Sequence, residues 1–166
     1  MRRHTIAPIA AGILLALAGS AEAATKTTSF NVSASVAANC LVSATNLAFG
    51  SYTGVAALNG TSDVNVRCTN GSGYTLRLSP GGGSYGTRLL TSGTDSLQYN
   101  LYTSGTYTSI WGDGTSSTAV VTGTGTGLAA ASNITHTVHG LLPDNATNEA
   151  APAGSYADSI TVTVEY

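Results

Sequence analysis

The sequence predicts an all-β protein built as an antiparallel β-sandwich, and three observations carry that expectation. Apolar and polar residues alternate with a period of two in stretch after stretch. Such a period buries one face of a strand and wets the other, the pattern of antiparallel sheets. Glycine, asparagine and aspartate pairs suited to tight turns separate the stretches. After residue 23 no segment repeats apolar residues at helical spacing.

The first residues are set apart from this pattern. Met1-Arg2-Arg3-His4 is a short basic head, and from Thr5 to Ala18 only Thr5, Pro8 and Gly12 are not aliphatic. Ala21-Glu22-Ala23 follows with the small-x-small pattern that signal peptidase accepts. The apolar run is shorter than the roughly 20 residues a membrane-spanning helix needs. Residues 1–23 therefore read as a secretory signal, with cleavage after Ala23 and no stable membrane insertion afterwards. Residues 24–166 read as one domain, a length at which a single core is possible.

The strands are expected in order. Phe30–Ala38 alternates first, then Asp63–Cys68, Tyr74–Ser79 and Leu97–Tyr102. Thr118–Thr122 is a short candidate, and Ile134–Val138 another. The last is the cleanest: Ile160, Val162, Val164 and Tyr166 on one face, with Ser159, Thr161, Thr163 and Glu165 on the other. Asn59-Gly60, Asn70-Gly71 and Asp113-Gly114 are expected as turns, and Pro80–Ser84 as a loop. The glycine-threonine run Thr122–Gly127 reads as a flexible loop or bulged strand.

Charge removes whole classes of function. Charged residues make up only 8% of the chain, against about 25% in an ordinary soluble domain. Lys26 is the only lysine. No basic patch can form to neutralise phosphates, so nucleic acid is not an expected partner. Hydrophobic residues at 42% equally exclude a disordered chain. Two cysteines, Cys40 and Cys68, are expected to form a disulfide in an exported protein. A metal site would need more ligands than His136 and His139 beyond the signal.

Enzyme motifs are thin. Gly82-Gly83-Ser84-Tyr85-Gly86 matches the nucleophile-elbow pattern but lies in a glycine loop with no helix behind it. His136 and His139 would face opposite sides of a strand. Gly123–Gly127 lacks the lysine of a phosphate loop. Asp95, Asp113, Asp144 and Asp158 are scattered, with nothing to pair them as glycosidase carboxylates. Trp111 is a candidate for stacking on a sugar, against a role in core or rim packing. Five Asn-x-Ser/Thr sequons, at Asn31, Asn59, Asn70, Asn133 and Asn145, are expected by chance in so Ser/Thr-rich a chain. No enzyme and no cofactor are expected.

Taken in order, the motifs resemble a known family. Phe49–Tyr52 follows Cys40; Val64–Gly71 and Tyr74–Leu78 come next. Arg88-Leu89 precedes Leu97–Tyr102, then Trp111–Gly114, Gly140–Pro143 and Gly154–Tyr166. This resembles the spore coat protein U domain, the fold of subunits of archaic, Csu-type chaperone–usher pili. The stretch Asp144–Pro152 is longer than the family pattern.

The resemblance implies an immunoglobulin-like sandwich lacking its last strand. A periplasmic chaperone would lend that strand until an outer-membrane usher exchanges it for the N-terminal segment of the next subunit. Residues 28–38 would be that donor strand, with Phe30, Val32, Ala34 and Val36 as the inserted side chains. The alternative for Phe30–Ala38 is an ordinary first strand of a closed sandwich. Ile160, Val162, Val164 and Tyr166 would form the strand bordering the groove, where the chaperone pairs. The expected function is a structural subunit of a secreted surface fibre, polymerised head to tail from identical or homologous copies and used for adhesion and biofilm. The expected route is through the inner membrane to the periplasm and out to the cell surface. The alternatives are a spore or cell coat protein of the same fold, and a monomeric carbohydrate-binding sandwich.

Overall fold

The structure is a computed structural model, and it describes residues 22–166. The expected signal therefore lies almost wholly outside the described residues. The chain divides into two units, residues 1–35 and Val36–Tyr166. In the first, residues 22–35 belong to no sheet. Phe30 and Val32 are 85% and 84% exposed there. All regular structure among the described residues falls in the second unit.

That unit is a sandwich of two antiparallel sheets. The larger contains β1 (Cys40–Ala44), β2 (Leu58–Cys68), β7 (Ile134–Leu142), β5 (Asp95–Tyr102) and β4 (Arg88–Ser92), side by side in that order. The smaller runs β6 (Val121–Thr124), β3 (Gly73–Leu78) and β8 (Val162–Glu165). The inward residues of both sheets meet in one core. Val64, Val66 and Val138 come from the larger sheet, Tyr74, Leu76 and Leu78 from the smaller.

The period-two stretches become strands because each has an apolar face to bury. Asp63–Cys68 lies in β2, Tyr74–Leu78 in β3, Leu97–Tyr102 in β5 and Ile134–Val138 in β7. Four expectations need correction. Phe30–Ala38 joins no sheet, and the first strand is β1, whose outer face is too exposed to show clean alternation. Asn59-Gly60 is not a turn: both residues lie within β2, and Gly60 stands opposite Gly140 of β7. A Cβ at either glycine would come within 3.0 Å of the Leu47 side chain. The pair is a flat spot over which Leu47 lies, and an αL turn is not involved.

The third correction concerns the last strand, which is shorter than the alternation suggests. Ile160 precedes β8 and Tyr166 follows it, 59% exposed. Residues 157–161 are drawn between the sheets instead. Thr91 and Ala157 exchange backbone bonds at 2.9 and 3.1 Å, while Ser79 N donates to Thr161 O at 2.9 Å. The fourth is β4, hidden from the pattern because Leu89 and Leu90 are adjacent. It pairs with β5 through a turn at Gly93, which has a φ of 61° that an L side chain rarely adopts. The long stretch after Pro143 holds a short helix, α1 (Ala146–Glu149), capped by the Asn145 side chain accepting from Asn148 N at 2.9 Å.

Cys40 and Cys68 are disulfide-bonded and stand opposite each other at the first register position of β1 and β2. Asn70-Gly71 forms the expected turn, with Gly71 at φ 80°, but it carries the chain from one sheet to the other. Asp113-Gly114 also turns. Gly114 has φ 88°, and Asp113 accepts from Thr115 N at 2.8 Å.

Candidate functional site

β1 is an edge of the larger sheet and β8 an edge of the smaller; each has one strand neighbour among the described residues. Beside these edges the sandwich is open. A groove of about 600 Å³ runs between the end of β1 with the chain after it, residues 44–49, and the chain leading into the start of β8, residues 156–162. Its floor is the core itself: Val64, Leu78, Leu90, Leu101 and Val138 reach it from both sheets. Leu47 and Phe49 form one wall because Gly60 and Gly140 let them lie close to the sheet. The Phe49 ring meets Tyr99 edge-on, with centroids 5.8 Å apart.

The other wall is held by polar bonds. Asp158 Oδ1 accepts from Gly82 N at 2.9 Å and from Ser159 N at 2.7 Å. Its Oδ2 accepts from the Tyr99 hydroxyl at 2.6 Å. Burial, reinforced by the carboxylate of Asp158, pushes the Tyr99 phenol far above its ordinary range. Nearby, Arg88 is fully buried, and its partners are neutral oxygens. Its guanidinium donates to Ser79 O at 2.9 Å, to Trp111 O at 2.8 Å and to Asn100 Oδ1 at 2.6 Å. Burial lowers its pKa. The bonds clamp the ends of β3 and β4 to β5 below the groove.

This arrangement can take an extended chain. Backbone groups on the outer side of β8 have no strand partner among the described residues, and apolar floor lies beside them; an added strand would satisfy both. No group of three His, Cys, Asp or Glu residues that could hold a metal occurs among the described residues. His136 faces inward, with Nε2 2.8 Å from the Tyr74 hydroxyl, and burial lowers its pKa. His139 alternates to the opposite face, so the two histidines share no ligand point. The Ser84 motif is a loop between β3 and β4 with no helix after it. Trp111 is 0% exposed and donates from Nε1 to Leu76 O at 3.3 Å, so it is core and offers no face to a sugar.

Comparison with family models places the fold. The model of the spore coat protein U domain matches residues 26–163. The chain belongs to that family. Among solved structures, it resembles a chain of a chaperone–tip adhesion subunit pre-assembly complex from the archaic chaperone–usher Csu pili of Acinetobacter baumannii. The match has a TM-score of 0.54 at 23% identity and covers 79% of this chain. This chain spans 40% of that one. A search of curated proteins finds no significant match.

Within this spore coat protein U domain, Ile160 and Val162 line the groove directly. Val164 packs on the core, and Tyr166 lies beyond β8. Val36 is exposed, as are Phe30, Val32 and Ala34, which lie in the other unit. The sequence reading missed Leu47, Phe49, Tyr99 and Asp158 as groove residues. Signals for them existed only in part. Gly60 and Gly140 mark a close approach, and Pro80–Gly83 makes room for a carboxylate: a Cβ on Gly81 would collide with Asp158 Oδ2.

Proposed function

We propose that this protein is a structural subunit of a secreted chaperone–usher fibre, polymerised by donor-strand exchange and serving adhesion and biofilm formation. The observation that carries the proposal is the groove between the free edges of β1 and β8, floored by the core of both sheets. A complementary occupant exists in the same sequence. Residues 28–38 alternate, with Phe30, Val32, Ala34 and Val36 on one face, and its large apolar members are exposed. Inserted beside β8 of another copy, the segment would pair with the free edge and fill the groove. Burying Phe30 or Val32 there is worth roughly 1.5–3 kcal/mol each. A head-to-tail contact of this kind does not close on itself and generates a filament.

In this reading residues 1–23 direct export and are removed. A periplasmic chaperone occupies the groove first, pairing along β8 beside Ile160, Val162, Val164 and Tyr166. An outer-membrane usher then exchanges the chaperone for the next subunit's segment, and the product is a fibre on the cell surface. The sugar-binding alternative loses its tryptophan to the core, and a coat role would use the same strand chemistry. The test is co-expression with a chaperone and usher of this pathway, followed by electron microscopy and gel analysis of cell-surface material. Heat-labile ladders of this chain support the proposal. A stable free monomer that never forms a ladder overturns it.

A further inference from the structure

We propose that the Cys40–Cys68 disulfide stops the pull on the outgoing segment from peeling β1 back into the groove wall; the inference rests on the fibre-subunit reading above. In a head-to-tail fibre, pull enters each subunit through the segment before β1. That segment is moored at one point. Thr69 N donates to Asn39 O at 2.9 Å, Asn39 N donates to Thr69 Oγ1 at 3.0 Å, and Thr69 Oγ1 donates to Ala37 O at 3.4 Å. Next to this mooring, Cys40 is bonded to Cys68.

The bond's position matters because of the chain just after it. β1 has β2 as its only strand neighbour among the described residues, and their register runs from Cys40↔Cys68 to Ala44↔Val64. From Ala44 the chain becomes the groove wall, through Phe49. One short segment thus carries the outgoing strand at its start and grips the incoming strand at its end. Without a covalent link, a pull at Ala37 acts on the last pair of the β1–β2 ladder. Hydrogen bonds loaded this way open one pair at a time, from Cys40 towards Ala44, and the opening runs into the wall. The neighbour's strand would then lose its grip.

The disulfide blocks that peeling at its first pair. Residues 41–67, and therefore Ala44–Phe49, lie inside the covalent loop. Tension crosses from Cys40 to Cys68 and enters β2, which is paired on both sides, with β1 and β7. The wall then bears only the pull of the strand it grips, and β1 does not peel into it. Reduction lets the β1–β2 ladder open towards the wall.

The test is force spectroscopy on assembled wild-type fibres, oxidised and after treatment with a phosphine reductant, with free thiols counted to verify reduction. Rupture force should fall at least twofold on reduction. Unfolding steps should lengthen by up to about 95 Å, the extended span of the 28-residue separation at roughly 3.3–3.6 Å per residue. Fibres of a C40A/C68A variant should match the reduced ones. Dissociation without load should change far less than rupture under load. Equal rupture forces and step lengths before and after reduction would overturn the inference. So would equal acceleration of dissociation at rest and under load, which marks a bond that merely stabilises the fold. If wild-type chains form no fibres at all, the subunit reading falls, and this inference with it.

Discussion

The Tyr99 hydroxyl donates to Asp158 Oδ2 at 2.6 Å, and both residues line the groove. The bond joins β5, in the larger sheet, to the chain that leads into β8, in the smaller. Asp158 is also bonded to the glycine loop through Gly82 N. One carboxylate thus holds a groove wall against both the floor and the loop after β3.

Replacing Tyr99 by Phe should weaken the fold by about 1.5–3 kcal/mol, the range for a hydrogen bond to a charged group. Denaturant unfolding measures this directly. The pH dependence has a definite sign. The folded phenol has a raised pKa, because burial and Asp158 oppose its ionisation. Its contribution is fully present below the unfolded pKa of about 10 and is lost as pH rises towards the folded one. The wild type should therefore lose stability above a pH of about 10, and the Phe variant should lose it less steeply.

Arg88→Met should cost about 3 kcal/mol or more. The aliphatic stem is kept, but Ser79 O and Trp111 O lose their guanidinium donor at about 1–3 kcal/mol for each orphaned acceptor, while Asn100 Oδ1 keeps only Leu101 N. Arg88→Lys should recover less than half of this, because one ammonium cannot reproduce the planar fork. Urea midpoints of the three proteins, compared at equal slope, check both statements.

How much of this was legible depended on whether a signal was local. Val64, Val66, Leu76 and Leu78 announce themselves by alternation, because half-buried strands require it. The disulfide followed from an even cysteine count in a chain whose first residues read as an export signal. Gly60 misled: asparagine-glycine suits a tight turn, yet here glycine serves a close approach by Leu47. Arg88 enters the sequence reading only as part of the family pattern, and only the fold brings three acceptors to it. Trp111 is open in the sequence between sugar stacking and core or rim packing, and it is core. Tyr99 and Asp158 are 59 residues apart in sequence, and no periodicity joins them.

The edge of β8 gives a prediction about the chaperone. Ile160 lines the groove and Val164 packs against the core from β8. Charges at both positions would meet apolar surroundings that any lent strand must also enter. An Ile160→Asp, Val164→Asp double variant should fail to co-purify with the chaperone and should be degraded in the periplasm. The single surface change Thr163→Asp, on the outward face of β8, should be captured at close to the wild-type level. Capture of the double variant at wild-type levels would show that the groove needs no partner.

The donor segment gives the sharpest contrast, because its two faces make opposite predictions. Phe30, Val32, Ala34 and Val36 would enter a neighbour's groove, whereas Asn31, Ser33 and Ser35 would stay outside it. Val32→Asp replaces an apolar side chain by a carboxylate that the groove floor of Leu78, Leu101 and Val138 cannot solvate. Assembly should stop. Val32 is 84% exposed in the single chain, so the substitution removes little from the subunit itself. Chaperone capture should therefore persist, leaving soluble complex and no fibres. Ser33→Asp adds the same charge one residue on and should assemble normally. Equal fibre yields from the two variants would show that no face of the segment is inserted, and equal failure would show that charge anywhere in it blocks export or capture. Only the difference between neighbouring residues reports a strand lying in a groove.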